Sequence, residues 1–332
     1  MSAAVFRPRR ILVVLGPGEE EGTPDPALAA GLHLADRTGA ALNVIRCVPP
    51  PKDLQVISRL SGRAPDVLLE DFLHAERERV AARLAQIAPD HGLEPVVRTG
   101  KAFVEIIREG VAAGVDLVIK TAEPVTPRFQ GLLSSTDQHL LRKCPCAVWL
   151  QTRQGAVTPR RVIAAVDADE SDAGEPETLR ALNRKVIETA RGVVGEAGEV
   201  IAAHAWDAAG EGALWAFGSG ADARQAADAY VNEVRQTRDA ALHAMLAPFR
   251  QDAEGASVTP RLVRGAPQTA LASLADSLKA DAVVLGTVAR TGLGGVIIGN
   301  TAENVINTLR CPVIAVKPDG FVSPLKLSGD PH

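Results

Sequence analysis

The chain carries two copies of one pattern, and that duplication limits what it can fold into. Arg9-Arg10-Ile11-Leu12-Val13-Val14-Leu15 is matched by Arg160-Arg161-Val162-Ile163-Ala164-Ala165-Val166, and Val97-Arg98-Thr99-Gly100 by Val263-Arg264-Gly265. Val115-Asp116-Leu117-Val118-Ile119 is matched by Ala280-Asp281-Ala282-Val283-Val284, and Leu141-Arg142-Lys143-Cys144-Pro145 by Thr308-Leu309-Arg310-Cys311-Pro312. The landmarks keep their order, so the pattern is a duplication with insertions. A length of 332 residues suits two domains of ordinary size. The expected division is a first domain over 1–152, a polar linker at 153–159, a second domain over 160–320 and a loose polar tail over 321–332.

Within each copy, short apolar runs alternate with helical spacing. In the second copy Val162–Val166 is a continuous apolar run, and Val200–Ala203, Val258–Val263, Asp281–Thr287 and Val313–Lys317 follow as strands. Leu179, Leu182, Val186 and Val193 recur at helical spacing, as do Leu271, Leu274 and Leu278. A long Ala-rich helix is expected from Ala223 to Leu246, stopping before Pro248, and a last one over Thr301–Leu309. Pro260 lacks a donor for a ladder, which predicts an edge strand. The first copy predicts strands near 10–15, 41–47, 94–99, 115–120 and 146–150, and Asp25-Pro26 suits a helix start. Alternating apolar strands and helices imply an α/β fold: an open parallel sheet in each copy, with helices on both faces. Ligands of such sheets lie at the carboxyl ends of the strands, at a topological switch point.

Composition narrows the function classes. Hydrophobic residues make up 46% of the chain and aromatics 3%, so the cores are built from Ala, Val, Leu and Ile. A net charge of -4 argues against a nucleic-acid binder that relies on phosphate contacts. The sequence shows no apolar run of membrane-spanning length and no signal-peptide core, so a cytoplasmic location without membrane insertion is expected. Four cysteines make no disulfide framework. Cys144-Pro145-Cys146 suggests metal or redox chemistry, but the second copy has Cys311-Pro312-Val313 at the same place. Cys144 and Cys311 are therefore expected to be small buried residues before a strand, and no bound metal is expected.

The informative stretch is Gly286-Thr287-Val288-Ala289-Arg290-Thr291-Gly292, followed through Leu293–Ile298 by Gly299-Asn300-Thr301-Ala302-Glu303-Asn304-Val305. A strand ends at Gly286, a glycine-containing loop follows, and a helix begins near Asn300. Unsatisfied N–H groups at such a helix start, with the helix dipole, favour an anion. The arrangement resembles the universal stress protein signature, Gly-x2-Gly-x9-Gly-Ser/Thr. The resemblance runs through both copies and is greatest to the tandem E-type members. It implies two five-stranded domains with strand order 3-2-1-4-5, and a non-catalytic protein that supports stress resistance. It further implies ATP or AMP phosphates against Gly286, Gly299, Asn300 and Thr301, and Asp167 against the nucleoside. Arg290 either reaches a phosphate or is a solvated loop charge.

Two positions depart from the signature: Ala289 replaces its second glycine and Asn300 its Ser/Thr. The competing reading of Asn300-Thr301-Ala302-Glu303 is a capping box, with Asn300 covering the helix start and Glu303 reaching back. The first copy has lost the signature. Lys120-Thr121-Ala122-Glu123 stands at its start, Leu132-Leu133-Ser134 where the second copy has Gly299-Asn300-Thr301, and Leu15-Gly16 where it has Val166-Asp167. The first copy is therefore expected to bind no ATP in the usual pose, with Ser134 and Ser135 capping a helix.

None of the seven histidines stands at a metal-ligand spacing from another, and the chain has no Gly-x4-Gly-Lys-Ser/Thr loop. No catalytic residue is assigned; a weak ATPase stays open, since a bound nucleotide needs only a positioned water. His204, at the end of the second strand of its copy, either contacts a ligand or packs. A second class is a carrier or sensor of a lipid-like, amphipathic ligand, suggested by the long insertions Val48–Asp66 and Asp207–Asp222. The latter holds Leu214-Trp215-Ala216-Phe217, expected to pack on its own domain's core. A third is a nucleotide-free structural module. The family resemblance implies pairing of last strands, within the chain as a pseudo-dimer and between chains as a homodimer.

Overall fold

Continuous apolar runs become buried parallel strands in both halves, because a strand covered on both faces has no water-facing side to mark with polar residues. The computed structural model describes residues 5–16, 25–123, 133–171, 174–194, 198–217, 221–250, 255–287 and 299–325. The first half runs β1 (Arg10–Leu15), α1 (Pro26–Thr38), β2 (Ala41–Val48), α2 (Leu54–Ser61), α3 (Pro65–Ile87), β3 (Pro95–Thr99), α4 (Ala102–Ala112), β4 (Leu117–Thr121), α5 (Ser135–Lys143) and β5 (Ala147–Gln151). The second runs β6 (Arg161–Ala165), α6 (Pro176–Val194), β7 (Glu199–Trp206), α7 (Glu211–Phe217), α8 (Ala221–Arg250), β8 (Ser257–Arg264), α9 (Pro267–Leu278), β9 (Ala282–Gly286), α10 (Asn300–Thr308) and β10 (Val313–Val316).

Each half forms its own unit. Pro159–Gly320 groups with the residues through Phe6, and Arg7–Thr158 with the stretch from Phe321. In the first half β1 pairs in parallel with β2 and β4, β2 with β3, and β4 with β5, which gives the order 3-2-1-4-5. In the second, β6 pairs with β7 and β9, β7 with β8, and β9 with β10, all parallel and in the same relative order. Every residue of β4 and β5 is buried, as sheets covered on both faces require. The chain reverses its direction of travel between β1 and β4, and again between β6 and β9. A crevice opens outside the carboxyl ends of those strand pairs.

Local signals behave as their chemistry predicts. Asp25 caps α1, its Oδ1 accepting the Ala27 N–H at 2.8 Å, and α1 ends where Gly39 takes φ 72°. Pro260 lies on β8, which in its unit pairs with β7 alone among the described strands.

Three expectations need correction. His204 lies inside β7, because pairing with β8 continues as far as Trp206 opposite Arg264. A buried polar residue interrupted the apolar run without ending the strand. Helix α8 runs through Pro248 to Arg250; the proline sits in the last turn, and buried Phe249, beneath the Arg191 guanidinium, holds that turn in place. The two insertions carry short helices, α2 and α7, and Trp215 on α7 is 45% exposed instead of packing on the core.

The N-terminal residues dock within the second unit. The Phe6 N–H donates to the Glu188 carbonyl of α6 at 3.1 Å. Gly192, one turn further, must be glycine, because a β-carbon there would collide with the Phe6 carbonyl.

Candidate functional site

The crevice of the second unit is built from the residues that follow β6. Asn183 of α6, 4% exposed, clamps this segment by its backbone. Its Oδ1 accepts the Asp167 N–H at 3.0 Å and its Nδ2 donates to the Asp167 carbonyl at 2.7 Å. The Asp167 carboxylate is thereby aimed by its own main chain. Its Oδ1 accepts the Asp169 N–H at 3.1 Å, and the side chain stays 29% exposed. Asp169 in turn takes the Ser171 hydroxyl at 2.6 Å and the Arg238 guanidinium of α8 at 2.6 Å.

His204 lies beneath this loop. Its Nδ1 is 3.2 Å from the Ala168 nitrogen, 3.3 Å from the Val166 carbonyl and 4.0 Å from Asp167 Oδ1. Its Nε2 is buried and has no hydrogen-bond partner among the described residues. Burial pushes the imidazole below its ordinary 6.5, against the opposing pull of the Asp167 carboxylate. In the unfolded chain His204 takes a proton near 6.5; in the folded protein it stays neutral until the pH is lower. Stability is therefore expected to fall as pH drops below 6.5, by up to about 1.4 kcal/mol per pH unit for one proton. The fall ends once the folded form is also protonated. His204→Gln should shrink that slope in urea unfolding at stepped pH, leaving the share of His139, whose pKa burial also lowers.

On the other side of the crevice, β9 ends at Gly286. A β-carbon there would lie 2.6 Å from a Leu182 methyl of α6, so the glycine seats a helix against the sheet. Gly286→Ala is expected to lower the unfolding free energy by about 1–3 kcal/mol through overpacking, read in urea with no nucleotide present. Thr287 is buried and bonds the Val316 carbonyl through its N–H at 3.1 Å. Ala289 and Arg290 lie outside the described residues. Helix α10 starts at Asn300, and its N-cap is Gly299, which has no side chain to cap it. The capping-box expectation is corrected here: Asn300 is the first helical residue, exposed, as is Thr301. The N–H groups of the first turn therefore lack a cap from Asn300.

The first unit treats the same places differently. Asp25 bridges the two sides of its crevice, accepting the Gly16 N–H at 3.1 Å from the β1 side and the Thr121 hydroxyl at 2.6 Å from the β4 side. Lys120, 4% exposed, holds Glu123 at 3.0 Å and the fully buried Asp137 at 3.0 Å. Ser134 caps α5 as expected, accepting the Asp137 N–H at 3.2 Å. A carboxylate thus occupies the helix start. Arg46, aligned with His204, bonds the Gly16 carbonyl. Beside it, under α3, lies a cavity of about 200 Å³ lined by Leu28, Arg46, Arg79, Val80, Arg83 and Leu84 among others.

The family model described as the universal stress protein family matches residues 8–151 and again 158–317. The chain belongs to the universal stress protein family. Universal stress protein E of Escherichia coli K12 is 27% identical over 326 residues, covering 97% of this chain and 98% of its own. The universal stress protein E homolog of Haemophilus influenzae is 28% identical over 323 residues, with 93% and 97% covered. A solved structure from Pseudomonas aeruginosa PAO1, described as functionally unknown, superposes with a TM-score of 0.64 at 27% identity, covering 94% of this chain and 93% of that one. A universal stress protein of Archaeoglobus fulgidus shares the fold, with a TM-score of 0.57 at 18% identity over 94% of this chain and 99% of its own.

In this universal stress protein, Asp167 and Gly286 flank the crevice because β6 and β9 are paired neighbours, Ala165 opposite Leu285. Two contributors escaped the sequence reading. Asn183 has no local signature, since it is a polar residue in an amphipathic helix. The Asp169–Arg238 pair joins residues far apart in sequence, and only the fold brings them together.

Proposed function

We propose that this universal stress protein binds an adenine nucleotide, ATP or AMP, in its second unit, without turnover, and that this binding serves stress resistance. The observation that carries the reading is the contrast between the two helix starts. The α10 N-cap, Gly299, has no side chain to cap its helix, whereas Ser134 caps α5 beside the buried Lys120–Asp137 pair. On this reading the phosphates lie against Gly286, Gly299, Asn300 and Thr301, with Arg290 reaching over them. The partly exposed Asp167 carboxylate accepts hydrogen bonds from ribose hydroxyls. The buried Nε2 of His204 offers a polar partner beneath the same loop. Calorimetric titration with ATP and AMP, with native mass spectrometry of the gently purified protein, should find one nucleotide per chain. Titrations without heat at either nucleotide would overturn the reading, and steady phosphate release from bound ATP would overturn the non-catalytic part.

A second reading is favoured by the first-unit cavity. Arginines beside an apolar wall suit an amphipathic anion, so a co-purified lipid-like adduct with no nucleotide would put this reading first. Self-association as a homodimer belongs to the proposal as well, and sedimentation velocity checks it. No helix among the described residues is long and apolar enough to cross a membrane.

A further inference from the structure

The turn that joins α5 to β5 holds two thiols in contact. Cys144 ends α5, its N–H donating to the Leu140 carbonyl at 2.9 Å, and the Ala147 N–H opens β5 on the Asp116 carbonyl at 3.3 Å. Pro145, between the thiols, stiffens the turn. Anchored at both ends, this turn brings Cys144 Sγ to 3.4 Å from Cys146 Sγ, one thiol donating to the other. Cys144 is buried and Cys146 half-buried as whole residues. The bond to Cys144, then burial, hold the Cys146 thiol well above its ordinary value, and the Asp116 carboxylate adds to this. The pair therefore rests as a dithiol. The second unit has Val313 in the place of Cys146, so the pair belongs to the first unit alone. Service as a small buried residue before a strand accounts for Cys144; it leaves the second, touching sulfur unexplained.

We propose that Cys144 and Cys146 are a reversible dithiol–disulfide modification site, oxidised by hydrogen peroxide or by a low-molecular-weight disulfide. With peroxide, Cys146 Sγ attacks one oxygen and the O–O bond breaks. The products are a Cys146 sulfenic acid and one water, the thiol proton going to the departing hydroxide. Cys144 Sγ then attacks Cys146 Sγ, the S–O bond breaks, and the second water leaves with the Cys144 proton. Two thiols and one peroxide become one disulfide and two waters. With a small disulfide, exchange passes through a mixed disulfide and releases two small thiols. The gap to close is from 3.4 Å to the bonded distance of about 2.05 Å, between residues of one turn.

The test uses the folded full-length chain, treated with hydrogen peroxide or oxidised glutathione, then unfolded in N-ethylmaleimide and weighed intact. Two of the four cysteines should resist alkylation, peptide mapping should place the crosslink at Cys144–Cys146, and dithiothreitol should restore all four. Cys146→Ser and Cys144→Ala should each abolish the crosslink. Alkylation of all four cysteines after oxidation, or a crosslink mapped to Cys47 or Cys311, would overturn the proposal. Because the mapping is made on the parent protein, a variant that misfolds leaves the outcome readable.

Discussion

Gly299→Asp is expected to abolish nucleotide binding in the second unit while leaving its stability equal or higher. The two effects separate for a physical reason. Gly299 caps α10 with φ -58° and ψ 136°, a conformation open to any L-residue. An aspartate there accepts first-turn N–H groups and complements the helix dipole, typically worth about 0.5–2 kcal/mol. The same carboxylate occupies the proposed phosphate position and repels what remains. Binding of ATP by calorimetry should weaken by more than about 100-fold, roughly 2.7 kcal/mol, while urea unfolding holds or improves. Normal ATP binding in a stable variant would put the proposed site elsewhere.

The second large effect concerns the first unit. Asp137→Ala removes the partner of an ammonium that is almost fully buried on β4. Breaking a buried pair from one side costs about 3–5 kcal/mol when the charge is left alone; here Lys120 keeps Glu123 and the Thr121 carbonyl, each at 3.0 Å, so the loss is expected at the lower end of that range. The second copy shows the apolar alternative, with Leu285 in the place of Lys120 and Asn304 in that of Asp137. Lys120→Leu combined with Asp137→Asn should therefore recover most of the loss, a coupling that a double-mutant cycle in urea measures directly. Equal losses in the single and double variants would show that Lys120 is not what Asp137 stabilises.

Much of the fold was legible because buried parallel strands announce themselves as apolar runs, and the duplication gave each run a second copy to check against. The α1 cap at Asp25 and the edge placement of Pro260 were legible too, since both follow from one residue's own backbone chemistry. What the same Asp25 does at its other end was not. Its bonds to Gly16 and Thr121 join two strand ends, and the latter contact spans most of the first unit. His204 was expected to end its strand, which runs two residues further, because imidazole reads as polar, yet here it is buried. The capping box at Asn300 failed by one residue, as helix starts read from sequence do. The chemistry of the crevice depends on such one-residue placements and on long-range side-chain meetings, which periodicity does not encode.

The docking of Phe6 onto α6 has a consequence for how the protein is made. Phe6 leaves the ribosome well before α6, since the Glu188 carbonyl that receives its N–H is synthesised roughly 180 residues later, a delay on the order of 10–40 s at ordinary elongation rates. The first unit can close its own sheet during that interval, but Phe6, which belongs to the second unit, has no place to go until α6 exists. Its seating is then a late step of biogenesis, a latch that only a chain translated into its second repeat can fasten.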